Sequence, residues 1–457
     1  MYDRQSGQQQ LTGWGYAMRA LSLRRGLILA VITALAGAAC APGQSNGNSS
    51  TGAGKIGGSV NVLATWSGSE QDSFMAMIQP FETQTGVTVN YESTRDLNAV
   101  LNTRVQAGNP PELAGLPGPG QMFDFAKAGK LVQLDNVLDM SAMNDQYSSS
   151  WVKLGQYNGK TYSIFIKTSL KGLVFYDPKN FAAKNYQEPK TWNDLMTLQS
   201  TIKSSGTTPW CITLESGSAS GWPGTDQIKE IVLSQSGINV YNDWWAGKHK
   251  WSSPEIKKAW QTWGQVIGTN DSNVFGGKQQ MLATNFGDVG QPMFLNPPKC
   301  YMVNQGSFIS DFFTKYPSAP KPITDFKFFS LPDVNPSNAG SHVVAGDLFA
   351  MFKSTPQARA LIKYLTTPEA QAIWVKRGGA ISPNKKVALS DYPDELSRSV
   401  GQIMTTTKIA AFDAGDLMPN AMQSAWWSAV LKFVNDQGQL DTILADLDKV
   451  QATAYTS

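Results

Sequence analysis

Short alternating runs and stretches of helical period follow one another along residues 59–454. Ser59–Thr65, SVNVLAT, alternates as an opening strand. Phe74, Met77, Ile78 and Phe81 then recur at i, i+3, i+4 and i+7, which predicts an amphipathic helix ended by Gly86. Val87–Tyr91 reads as the next strand, and Leu97, Leu101 and Val105 mark a second helix face. Residues 110–120 offer a short strand and a glycine-rich loop, and 122–128 a further helix. This β-α-β-α-β rhythm predicts a parallel sheet with helices on both faces. Such sheets bind ligands in the crevice beyond the carboxyl ends of their strands.

Thr161–Asp177, TYSIFIKTSLKGLVFYD, organises the middle of the chain. It reads as a strand, a polar kink at Lys167–Gly172 and a more deeply buried strand. A chain leaving one sheet and entering another would stitch two α/β lobes together; an ordinary hairpin in one sheet is the alternative. Thr191 and Asp194 form a capping box for a helix carrying Leu195, Leu198 and Ile202. Pro209–Thr213 is a strand, and Ser218–Pro223 a loop opening the helix around Ile228 and Ile231. Cys300–Ser310 runs as a strand into a turn. Lys327–Leu331 and Val343–Phe352 are two further strands, with a second crossing expected between them near Pro332–Asn335. Thr355-Pro356 and Thr367-Pro368 each place a cap before a first-turn proline, so two helices come in series. Gly378–Asn384 is the third expected crossing. In the closing helix, Trp426 and Trp427 cannot both face one core.

At 457 residues the chain implies two or three domains. Its net charge of +3 is uneven: residues 1–39 hold four of the 38 basic residues and one of the 35 acidic ones, leaving 34 of each elsewhere. A neutral body offers no general attraction for nucleic acid or anionic lipid. Arg24 and Arg25 precede Leu27–Ala39, an apolar run of signal-peptide length and too short for a secure membrane span. We therefore read 1–39 as a signal peptide, with Met18 an alternative start. LAGAAC resembles a bacterial lipobox that would lipidate Cys40, with Gly37 where an aliphatic residue is more usual; a plain cleaved signal is the alternative. The small, polar residues of 40–58 read as a flexible tether. An anchor, a tether and a globular body place the protein outside a membrane. In that oxidising setting Cys211 and Cys300 are expected to pair, two buried free thiols being the alternative.

The missing chemistry narrows the function. His249 and His342 lack metal-ligand spacing, and there is no G-x-S-x-G, Walker loop or dinucleotide fingerprint. No local motif joins two carboxylates as in a glycosidase. No metal or cofactor is expected. Loops at strand ends instead carry Trp66, Ser67, Glu70, Arg95, Asp96 and Gln121 on one side. On the other stand Trp222, Asp288, Gln305, Phe308, Trp426 and Trp427, and Asp347 and Asp416 complete the candidate set. Sugars present hydroxyls at their edges and C–H groups on their faces, so polar side chains with aromatic platforms suit them.

The chain resembles the extracellular solute-binding proteins of carbohydrate ABC transporters, the family containing the maltose binder. The resemblance rests on GKLVQLD (129–135), NGKTYSIFIKTSLKGLVFYD (158–177), YLTTPEAQAIWVKRGGAISPN (364–384) and LMPNAMQSAWWSAV (417–430). SGWPGTDQI (220–228), FGD (286–288), NPPKCYMVNQGSF (296–308) and FDAGDLMP (412–419) resemble its α-glucoside-binding branch. It implies an α/β, two-lobed periplasmic-binding-protein fold of type II, with a ligand cleft and three interlobe crossings. Lobe 1 would hold 59–167 and 333–381, and lobe 2 would hold 168–332 and 382–457. Phe308 and Trp427 match sugar-stacking tryptophans of the maltose binder. Pro117–Gly120 stands where that protein grips its ligand with Trp and Asp, which favours another α-linked glucoside, such as trehalose or sucrose. The resemblance further implies a monomeric receptor that hands its ligand to membrane permease subunits and does not transform it.

Overall fold

The computed structural model describes residues 55–455. The expected signal peptide, Cys40 and most of the expected tether lie outside the described residues. Twelve strands are present among the described residues: β1 Ser59–Ala64, β2 Thr88–Ser93, β3 Leu113–Leu116, β4 Gln156–Tyr157, β5 Lys160–Thr161, β6 Ser163–Leu170, β7 Leu173–Tyr176, β8 Thr208–Cys211, β9 Cys300–Gln305, β10 Lys327–Ser330, β11 Ser341–Met351 and β12 Ile409–Phe412. The first sheet runs β12-β11-β3-β1-β2, with β6 on the opposite edge of β11. β1 is parallel to β2 and β3, as the βαβ rhythm requires, and β11 lies antiparallel to β3 and β6. The second sheet runs β10-β7-β9-β8.

The helices form where their caps and periods place them. Thr191 and Asp194 make the reciprocal capping box, with Thr191 Oγ1 accepting from the Asp194 N–H at 3.1 Å. Thr355 and Thr367 cap Pro356–Leu365 and Pro368–Arg377 in the same manner. Phe74, Met77, Ile78 and Phe81 bury one face of Ser69–Thr85 against Ile164, Phe349 and Trp374. In a second cluster Trp244, Trp251, Trp260, Trp263 and Trp426 pack with Phe433 and Leu444. Cys211 and Cys300, on adjacent strands β8 and β9, form a disulfide with their Cα atoms 5.6 Å apart.

The passage between the sheets differs from the expected polar kink. β6 stays extended through Leu170, with one register shift against β11 at Ile166, and is buried along its whole length, and only Lys171–Gly172 turns before β7. The register against β11 explains this: it slips by one residue between Phe165 and Lys167, so Phe165 and Leu170 enter one cluster, which continues to Phe175 and Val303, while Ile164 and Ile166 enter another. Lys167 and Lys171 are polar by type yet buried, because each carries a carboxylate partner. Gly172 takes φ +65°, and a Cβ there would lie 2.7 Å from the Glu230 carboxyl. No helix among the described residues is long and apolar enough to cross a membrane.

Candidate functional site

A cleft lies where β6 and β11 run between the sheets, with about 1020 Å³ of space not filled by protein atoms, its open mouth included. One wall comes from the loops after β1 and β2. Glu70, in the first turn of Ser69–Thr85, and Asp347 of β11 flank Lys167 of β6. The Lys167 amine lies 2.5 Å from Glu70 and 3.2 Å from Asp347. The Trp66 indole N–H donates to Asp347 at 3.0 Å, and Arg95 reaches Glu70 at 3.5 Å. Burial alone would raise the Glu70 carboxyl, but Lys167 and Arg95 outweigh it and hold it below its ordinary value. For Asp347 burial wins over Lys167, and its carboxyl is raised.

The facing wall is built on the helical run Trp222–Trp245, which opens with Pro223 in its first turn. Trp222, Asp226 and Lys229 fall at i, i+4 and i+7 and so share one face. Asp226 sits between Lys171, at 2.6 Å, and Lys229, at 2.7 Å, and Lys229 also pairs with Asp413. The two lysines outweigh burial and depress the Asp226 carboxyl. Asp413 caps the short turn 414–417 by accepting from the Gly415 and Asp416 N–H groups. That turn directs Asp416 inward, where Gln423 donates to it at 3.0 Å. Burial, then the adjacent Asp413 charge, lifts the Asp416 carboxyl well above its usual range. Trp222, Phe308 and Phe286 form an aromatic corner, and Trp427 lines the same space.

Eight of the fourteen candidates therefore meet in one cleft: Trp66, Glu70, Arg95, Trp222, Phe308, Asp347, Asp416 and Trp427. Six do not line it. Trp426 is fully buried among Trp244 and Trp251, so Trp427 is the tryptophan of the pair that turns outward. Gln305 is held at the end of β9, bonding the Gly306 N–H, and Gln121 is buried near the start of the helix Pro119–Lys127. Asp288 faces outward and accepts from Gln291. Ser67 accepts from Arg95 behind the wall, and Asp96 bonds across the lip to Ser218. Lys167, Lys171, Asp226, Lys229, Asp413 and Gln423 line the cleft without having been singled out. The usable signal was a pair of lysines four apart in the largely apolar run from β6 to β7, and an Asp–Lys pair inside the apolar helix around Ile228.

Among the described residues no group of His, Cys, Asp and Glu is arranged to hold a metal ion. Every lining cation already touches a carboxylate. Because those cations are already paired, the cleft suits an uncharged ligand rich in hydroxyl groups.

The family model of the bacterial extracellular solute-binding proteins matches residues 76–399. The chain belongs to this family. This solute-binding protein is 35% identical over 378 residues to the osmoprotective compounds-binding protein GgtB of Synechocystis sp., covering 82% of this chain and 88% of that one. It is 33% identical over 394 residues to the alpha-glucosides-binding periplasmic protein AglE of Rhizobium meliloti, covering 84% and 85%. Among solved structures, the bacterial solute receptor AcbH matches with a TM-score of 0.76 at 18% identity, over 87% of this chain and 99% of that one. Maltose-bound MalE3 of T. maritima matches at 0.69 and 16% identity, over 86% and 99%. The solute-binding protein thus has the two-lobed type II periplasmic binding fold. It is an extracellular solute-binding receptor, not an enzyme.

Proposed function

We propose that the receptor captures an α-glucoside or disaccharide of the trehalose, sucrose or maltose-like class by closing its lobes, and presents it to the permease. The observation that carries this reading is a cleft whose cations are all paired with carboxylates and whose walls include Trp222, Phe308 and Trp427. Rings there would cover the C–H faces of a pyranose, while Glu70, Arg95, Asp347 and Asp416 would bond its hydroxyls. AglE, which binds alpha-glucosides, supports the α-glucoside choice over other sugars. A polyol phosphate fits less well, because it would want cations free of carboxylate partners. A quaternary ammonium solute also fits poorly: Lys171 already stands over the Trp222 and Phe308 rings, at 5.2 and 5.4 Å, and Arg95 over Phe286 at 4.9 Å.

Closure would move lobe 1, residues 59–167 and 333–381, against lobe 2, residues 168–332 and 382–457. The bound state is favoured because the ligand contacts both lobes at once. A cleaved signal peptide, a lipid on Cys40 and a monomeric body would keep the receptor beside its permease.

The test is a titration of intrinsic tryptophan fluorescence with trehalose, sucrose, maltose and glucosylglycerol, followed by assay of the sugar. The expected result is a saturable change with one α-glucoside, which is recovered intact. In Trp427→Ala, loss of a stacking platform should weaken binding about tenfold or more. A silent spectrum with all four sugars, or full affinity in that variant, would overturn the reading.

A further inference from the structure

Asp96 stands at the N-cap of the helix Leu97–Gln106, where an aspartate ordinarily accepts from an amide of its own first turn. It makes no such bond. Its carboxylate instead reaches across the cleft lip and accepts from the Ser218 backbone N–H at 3.1 Å. Ser218 Oγ returns the contact by donating to the Arg95 carbonyl at 3.4 Å. The loop that presents this N–H is held from within. Glu215 accepts from the Gly217 N–H at 2.7 Å, and Ser220 Oγ accepts from the Ser216 N–H at 2.9 Å. Farther along the lip, Asn98 donates to Asn420 at 2.6 Å. Asp96 itself does not line the cavity.

We propose that Asp96 is a clasp residue: bonded to the Ser218 loop, it holds the closed lobes together and sets how long a solute stays, without touching the solute. The inference rests on the reading that solute is taken up by lobe closure. A contact made only after closure slows opening, so it acts on the dissociation rate and leaves encounter unchanged. It also serves every ligand equally. A ligand contact would instead discriminate between sugars.

Stopped-flow fluorescence of wild type, Asp96→Ala and Asp96→Asn with trehalose and with sucrose tests this. In Asp96→Ala the dissociation rate is expected to rise roughly three- to tenfold, by the same factor for each sugar that binds, with the association rate unchanged. Asp96→Asn keeps an oxygen that accepts from Ser218 and should recover most of the loss. An unaltered dissociation rate, or factors that differ between sugars, would overturn the clasp. Failure of both sugars to bind wild type would count against the α-glucoside reading instead. The clasp is then judged on sugar-free protein, where hydrogen exchange at the Ser218 amide should be faster in Asp96→Ala; equal exchange rejects it.

Discussion

Glu230 is a buried carboxyl wedged against Gly172 and the start of β11, where the Val343 N–H bonds it and Oε1 has no partner. Burial, then the Asp226 charge, pushes its pKa up to about 8. The folded protein therefore holds a proton that the unfolded chain releases near its ordinary value of 4.5. Between about pH 4.5 and 8 the native state binds more protons, so this group's stabilising effect is complete below that window and is lost as pH rises. The expected slope is about 1.4 kcal/mol per pH unit. Glu230→Gln should remove it, and urea midpoints at pH 5 to 9 should show wild type losing ground to the variant as pH rises to about 8. Parallel curves would contradict a protonated Glu230. Such a residue illustrates what the sequence conceals. The loop residues Trp66, Glu70 and Arg95 were legible from their position at strand ends. The buried charges were not, because their meaning lies in partners 55 positions away for Lys171 and Asp226, and 97 for Lys167 and Glu70.

At the scale of elements, local period and caps foretold most of the structure. The strand–helix rhythm of 59–106 and the three threonine caps appear where the pattern set them. Tertiary pairing decided the rest: β6 continues past Lys167 because β11 supplies it with partners from Ala350 to Val344. The loop Pro117–Gly120, read as a departure from the maltose binder, gains a physical reason. A Cβ on Gly118 would stand 2.2 Å from the Asp416 side chain, and one on Gly120 would stand 2.1 Å from the Met418 carbonyl oxygen. The glycines let the turn 414–417 approach the helix Pro119–Lys127. Gly120→Ala should wedge that contact open at a cost of roughly 1–3 kcal/mol. Sugar affinity is then expected to fall about tenfold or more, with a larger radius of gyration in the sugar-bound state by small-angle scattering. Wild-type affinity in this variant would show that the approach is not needed for closure.

Across the whole molecule, the two sheets do not have separate cores. Leu63 of the first sheet, with Leu101 and Met122, joins Val303 and Cys211 of the second sheet through Phe165, Leu170 and Phe412. Val343 and Val344, neighbours on β11, point into different clusters, so one strand ties both together. The described residues 55–455 accordingly fall within one compact unit. A receptor of this kind must bend at the crossings without loosening them, and a packed interior there resists any shear that would expose apolar surface. The lobes should therefore unfold together. Calorimetry of the body from Ser59 onward is expected to give a single transition whose calorimetric and van 't Hoff enthalpies agree. A bound sugar should shift that transition upward as one peak, by about 2.7 kcal/mol of added stability at a hundredfold excess over Kd. Two resolved peaks, only one of them moved by sugar, would mean that the interior is divided at Lys171–Gly172 and that closure joins two independently stable halves.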